Sequence, residues 1–460
     1  MRVLSVLAVV LIALALRLRA VEQLPVDYDE DDYLRAGQQV ATALTGGDWT
    51  ALTELNYRTE HPPLAKLAYG VALAPLPPAP EIPDLPTTAP PSRSLPQPHL
   101  AVARLTTTVF GVLEVLALAI LNPLAGFFLA INTWTIKYTS QVMLEGLPSL
   151  TSALAVVFYL KSNRTSRAWL ALSAMALGMT AASKYLYCVA GIAIVADWLW
   201  KTRPAASNRS RSAVLRWLRP VALWGVASIV VFFLASPYLW PDPLNRLKDS
   251  IVYHAGYAQS DAVTQAAFPA WQPFVWLAGS VPWHPGVFVF SLDFFVSVLA
   301  LLGLPRLWKR SRLAVVWLIV ALGFLLVWRT KWPQYTLIMA FPIAWAAAEG
   351  FRARVWEPLV DGLPRLREAR AGARIARRET RRALPWLVPG LIVLCLIVIY
   401  PLIFQSAMSL TDFRGLAIRD GITGGVWRAV GEGLTGQVEP VDYNPFDSTT
   451  ALTPQKVQYA

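Results

Sequence analysis

The feature that most constrains this chain is a succession of apolar runs that water cannot stabilise. They lie at residues 3–16, 101–121, 124–137, 146–160, 168–182, 185–200, 217–235, 286–304, 313–328, 333–349 and 386–405. A helix needs about 20 apolar residues to cross a bilayer, so the runs predict about eleven spans, several of them short. In hydrocarbon each segment must satisfy its own backbone, which selects helices. The predicted class is all-α and polytopic. Composition agrees: only 15% of the 460 residues are charged, against roughly 25% in soluble domains.

Charge sorting tests this reading. With the N-terminus placed inside, alternate loops carry the Lys and Arg excess that marks a cytoplasmic face. These are 161–167, 201–219, 305–312 and 351–385, the last with ten arginines from Arg352 to Arg382. The net charge of +12 is thereby read as a topology signal, with lipid headgroups as its partner rather than nucleic acid. The outer segments are then loop 22–99, the turn around Glu145, the Ser183–Tyr185 turn, loop 236–285, the Arg329–Gln334 turn and a tail, 406–460. Residues 1–350 form one membrane module, followed by a basic loop (351–385), a last span (386–405) and the tail. Residues 3–16 read as an uncleaved first helix, because Arg17 and Arg19 stand where a signal peptidase needs small residues. Cys188 and Cys395 both fall in apolar runs, so neither a disulfide framework nor a Cys metal site is indicated.

Candidate chemistry gathers on the outer side. Asp27, Asp29, Glu30, Asp31 and Asp32 place five acids in six positions directly after an apolar segment. Such a cluster binds a cation, takes a proton, or is a solvated helix start favoured by the dipole. Glu60-His61-Pro62-Pro63-Leu64-Ala65-Lys66 sets an acid, an imidazole and a base around two prolines. Glu145 is the sole acid between Glu114 and Asp197, at the outer end of its run. Glu114 lies deeper, and no role is read for it.

As an ordered set these motifs resemble the protein O-mannosyltransferase-like branch of the GT-C glycosyltransferases, which includes the lipid A aminoarabinose transferases. The set is Asp29-Glu30-x-x-Tyr33, Glu60-His61-Pro62-Pro63-Leu64-x-Lys66, Glu145, Ala182-Ser183-Lys184-Tyr185, Ser236-Pro237-Tyr238-Leu239-Trp240-Pro241-Asp242-Pro243 and Thr330-Lys331-Trp332-Pro333-Gln334-Tyr335. The resemblance runs from about residue 25 to 350. It implies an integral membrane transferase that moves a sugar from a polyprenyl-phosphate carrier to an acceptor hydroxyl outside the cytoplasm, with inversion. It further implies Asp29 as general base, with Glu30 and Glu145 beside it. Glu145 departs from the usual Asp by one methylene. His61 stands where aminoarabinose transferases carry Lys.

A leaving lipid phosphate gathers negative charge that cations or a metal must neutralise. His61, Lys184 and Lys331 are the expected phosphate contacts, with Tyr238 and Tyr335 as hydroxyl donors. By the same resemblance Glu60 and His254 would hold a divalent ion. Snorkelling at helix ends is the plainer reading of the two lysines. No Gly-rich phosphate loop or dinucleotide fingerprint occurs, which disfavours a cytoplasmic sugar-nucleotide donor. Two other classes remain: a lipid or glycan transporter or flippase, expected to show internal repeats and mid-membrane acids, and a non-catalytic envelope scaffold. The acceptor is left open among protein, lipid and glycan.

Overall fold

A computed structural model describes residues 2–80, 82, 95–162, 166–204, 210–282, 286–288, 290–360 and 390, and among them the regular elements are all helical. Most of the expected basic loop at 351–385, the expected span at 386–405 apart from residue 390, and the expected tail lie outside the described residues. In chain order the helices are α1 (Arg2–Gln23), α2 (Glu30–Gly46), α3 (Trp49–Glu54), α4 (Leu64–Leu73), α5 (Gln97–Leu121), α6 (Pro123–Ile131), α7 (Thr133–Tyr138), α8 (Gly146–Ser162) and α9 (Arg167–Ser183). They continue as α10 (Val189–Thr202), α11 (Arg211–Leu234), α12 (Pro243–Tyr257), α13 (Asp261–Ala266), α14 (Gln272–Ala278), α15 (Asp293–Arg310), α16 (Arg312–Val327) and α17 (Leu337–Phe351). All belong to one compact unit, residues 1–85 and 91–356.

Helices α1 and α5 run antiparallel. The Arg2 guanidinium at the start of α1 donates to Ile120 O at the end of α5, 2.7 Å away. The first span is thus longer than residues 3–16: Arg17 lies inside the helix, fully buried, and its Nε donates to Thr139 Oγ1 at 2.8 Å. Two asparagines reshape the next run. Asn122 Oδ1 accepts the N–H groups of Leu124 and Ala125, with Pro123 at the first helical position. Ten residues on, Asn132 Oδ1 accepts Thr135 N at 2.9 Å. The expected single span at 124–137 is therefore two short helices, α6 and α7. The expected run at 286–304 begins its helix only at Asp293.

Among the described helices, α1, α5 and α11 are long and apolar enough to cross a bilayer, and α4 and α16 are shorter apolar helices. Leu4, Leu7 and Leu11 on α1, Ile229 and Val230 on α11, and Phe294, Phe295 and Leu301 on α15 point outward. A face so apolar suits hydrocarbon rather than water. The interior packs α8 on α5 and α9, α9 on α11, α10 on α16, and α17 on α15 and α6. Loop helices α2 and α4 pack on each other beside this bundle.

The α15–α17 crossing depends on two glycines. A Cβ at Gly303 would lie 1.9 Å from Ala346 O, and one at Gly350 would lie 1.9 Å from Leu299 O. Only hydrogen fits between these backbones. Gly350→Val should lower the unfolding midpoint of the detergent-purified protein, at a cost of about 1–3 kcal/mol or more. Gly323→Ala on α16, which meets nothing within 4 Å, should leave it level or higher.

Candidate active site

The site is built where α1 ends and α5 begins. Arg104, in the second turn of α5, is 4% exposed and Glu30, the first residue of α2, is fully buried. Arg104 Nε and Nη2 donate to Glu30 Oε1 and Oε2 at 2.8 and 2.6 Å. Its remaining N–H groups go to Val21 O, Leu24 O and Pro25 O at 2.8–2.9 Å. All five donors of the guanidinium are used. The same carboxylate accepts Asp27 N at 2.9 Å and Val142 N at 2.7 Å. One ion pair thus seals the end of α1, starts α2 and draws in the 139–145 segment that carries Glu145.

Asp29 is the N-terminal boundary residue of α2, and its side chain makes no capping hydrogen bond. It is partly exposed. Burial pushes its carboxyl up to about 7, with the like charges of Asp27 and Glu145 adding and Lys184 opposing. Glu145 is 2% exposed and its Oε1 is hydrogen-bonded by Lys184 Nζ. Lys184 follows α9 as its C-cap residue, and its ammonium lies 5.4 Å from the centre of the Tyr335 ring. Asp29, Glu145, Lys184 and Tyr335 therefore share one neighbourhood.

A second wall comes from the segment before α4. Lys66 Nζ donates to Tyr57 O, Arg58 O and His61 O at 2.9–3.0 Å, holding a tight loop in which Arg58 has a left-handed φ of 60°. Burial pushes the Lys66 amine down to about 7, against the pull of Glu60. The loop aims His61 at Tyr33 (ring centres 6.1 Å apart) and at His254 of α12 (5.3 Å). Burial holds both imidazoles below their ordinary pKa, and Lys184 pushes the same way. Both are thus neutral near pH 7, so His61 offers hydrogen bonds rather than charge. His61 Nδ1 is buried and has no protein partner.

Several expectations change. Glu60 and His254 meet, but through the Glu60 backbone carbonyl, 3.0 Å from His254 Nε2. Among the described residues no three His, Cys, Asp or Glu side chains converge on a metal site. The residues do not fit the expected ion pair of ligands. Lys331 Nζ donates to Leu325 O, Leu326 O and Trp328 O, so its donors cap the end of α16 instead of facing a phosphate. Tyr238 lies under the Arg246 guanidinium, 4.4 Å away, and that arginine reaches Glu54 of α3 at 2.6 Å.

Asp27 and Asp32 are paired rather than solvated. Asp27 binds Lys137 at 2.8 Å. Asp32 accepts Tyr57 Oη at 3.0 Å and Arg58 Nε at 2.7 Å. Sequence reasoning missed Arg104. Its signal was a cation inside an apolar run, costly in a bilayer unless paired.

No family profile matches the chain, and neither does any curated protein sequence. The fold does have known counterparts. ArnT from Cupriavidus metallidurans in the apo state superposes with a TM-score of 0.54 at 15% identity, over 80% of this chain and 64% of that one. The structure of ArnT bound to undecaprenyl phosphate gives 0.51 at 16% identity, over 81% and 64%. The chain thus spans just under two thirds of its counterpart's length. The chain shares the fold of these counterparts, as the ordered motifs implied, and among its described helices three are long and apolar enough to cross a bilayer.

Breaking the central pair strands a buried charge. Arg104→Leu should cost about 3–5 kcal/mol, read as a lowered unfolding midpoint. Replacing both partners, Glu30→Leu with Arg104→Leu, should recover part of that loss.

Proposed function

We propose that this protein is an inverting membrane glycosyltransferase that moves a sugar from a polyprenyl-phosphate donor to an acceptor hydroxyl on the extracytoplasmic face. The observation that carries the reading is Asp29. Its carboxyl stands near 7 without a capping bond, beside a buried acid–lysine pair, at the end of a GT-C bundle. A general base works best with its pKa near the working pH. The N-terminus and the basic loops lie in the cytoplasm on this reading, following the distribution of Lys and Arg.

In the reaction the acceptor O–H gives its proton to Asp29 as the oxygen attacks the anomeric carbon. The bond from that carbon to the phosphate oxygen breaks, and its electron pair leaves with the polyprenyl phosphate. Attack opposite the leaving group inverts the centre. Charge grows on the phosphate, and Lys184, the ammonium beside Glu145 and Tyr335, is the cation assigned to meet it. Glu145 fixes that ammonium and keeps the Asp29 carboxyl basic by repulsion. The unpartnered His61 Nδ1 supplies a neutral contact, with Tyr33 beside it and Tyr335 beside Lys184. Glu30 acts on this view as a positioning residue, since its oxygens are held by Arg104, Asp27 N and Val142 N. No step is assigned to a metal ion.

The test uses purified protein, radiolabelled polyprenyl-phosphate sugars and Asp29→Asn. Transfer or donor hydrolysis should fall by about 10²–10⁴-fold in the variant. Wild-type activity should rise with pH through about 7 as the base ionises. A wild type that neither binds nor consumes any such donor would overturn the reading.

Linkage gives a separate check. Between the usual carboxylate range and about 7 the folded chain keeps a proton that the unfolded chain has lost. The Asp29 contribution to stability therefore falls as pH rises through that window. Above a pH of about 7, Asp29→Asn should unfold at a higher temperature than wild type, even as transfer is lost.

A further inference from the structure

One face of α12 is stitched to the segment running from α3 to α4. The residues that do it, Arg246, Ser250 and His254, are four apart, which sets them in a row along the helix. At the first rung Arg246 Nη1 donates to Thr53 O at 2.5 Å and Nη2 reaches Glu54 Oε2 at 2.6 Å. The other two rungs share one acceptor. Ser250 Oγ donates to Glu60 O at 2.6 Å, and His254 Nε2 lies 3.0 Å from the same oxygen. A carbonyl only accepts, so it is Nε2 of His254 that carries the proton. Ser250 Oγ also lies 3.2 Å from Tyr185 Oη. Ile251 and Val252, beside this row, are exposed.

Glu60 immediately precedes His61, so the double hydrogen bond ends next to the imidazole whose buried Nδ1 has no protein partner. The main chain at this point is already held from within the loop. Lys66 Nζ and Asn56 Nδ2 both donate to His61 O, at 2.9 and 3.1 Å. Those bonds fix the backbone of residue 61 and leave its side-chain torsions open. The ring itself meets His254 at 5.3 Å, tilted by 47°, and Tyr33 at 6.1 Å. His254 is in turn set edge-on to Tyr185 and Tyr253, at 6.4 and 6.0 Å. Its polar edge is thus tied to a carbonyl and its faces are packed, and it offers His61 a wall of fixed orientation.

We propose that His254 is a positioning residue for the donor phosphate: held on Glu60 O and packed on the His61 ring, it orients His61 so that the Nδ1–H of that imidazole meets a phosphate oxygen of the polyprenyl-phosphate donor. The proposal deepens the transferase reading above and rests on it. An imidazole already turned toward its ligand loses less rotamer freedom on binding than one that must be ordered by it. The histidine expected to ligate a metal acts here through a hydrogen bond to a backbone carbonyl.

The test measures the affinity of the full, detergent-purified chain for a polyprenyl monophosphate and for the matching polyprenol, which lacks the phosphate. His254→Ala should weaken binding of the phosphate by about tenfold and leave binding of the polyprenol unchanged, a split that a general loss of structure would not produce. His254→Gln, which keeps an N–H near the place of Nε2, should recover most of the loss. His61→Ala should weaken the phosphate to a similar degree, and adding His254→Ala to it should cost little more, because the second residue acts through the first. Val252→Ala, on the exposed side of α12, should behave as wild type. Should the alanine variant fold poorly, His254→Phe keeps the ring without the N–H and should show the same selective loss. Where wild type binds the polyprenyl phosphate, undiminished affinity in His254→Ala and His254→Phe, an equal loss for polyprenol, or additive losses in the double variant would overturn this proposal alone. A wild type that binds no polyprenyl phosphate would overturn the transferase reading, and the proposal with it.

Discussion

The Arg104–Glu30 pair is the constraint on which the outer end of this protein depends. A guanidinium and a carboxylate are taken out of water together, and the cost is tolerable only because every donor and both oxygens are engaged. That completeness is structural information. The three carbonyls end α1, the bidentate pair starts α2, and the Val142 amide brings the Glu145 segment alongside. Asp29 is the residue immediately before this anchor. Its position is inherited from a bond it does not make.

Around that anchor, most of the charges are spent. Asp27, Asp32, Glu30 and Glu145 each have a cationic partner. Lys66 and Lys331 are spent on backbone carbonyls. Asp29 sits among these pairs with a carboxyl displaced toward neutrality. The displacement has a plain source: packing removes water, and the neighbouring acids add repulsion that Lys184 only partly offsets. At the far end of the bundle the logic is reversed. There one buried acid, Glu349, meets three guanidinium groups, those of Arg306, Arg310 and Arg352.

Much of this was legible in the chain. Most of the apolar runs correspond to described helices, because hydrophobic period acts over a few residues. What misled was anything set by partners distant in sequence. Five clustered acids look alike on paper. They separate only when Lys137, Arg58 and Arg104 arrive from three other segments. Lys331 resembles a phosphate ligand in its motif, yet it folds back on the helix just before it. Glu60 and His254 were rightly brought near each other, but their contact runs through a carbonyl, which composition cannot foresee.

By itself the sequence determined that this chain is helical, that several of its helices are long and apolar enough for a bilayer, and that an acid-rich turn follows the first helix. Those properties follow from local patterns whose energetics do not need a partner. The tertiary structure alone decided that the Asp29 carboxyl is pushed up to about 7 and that Lys184 faces Glu145. Burial and pairing are properties of three-dimensional neighbourhoods, and in a low-dielectric interior a difference of one hydrogen bond separates a structural clamp from a reactive group.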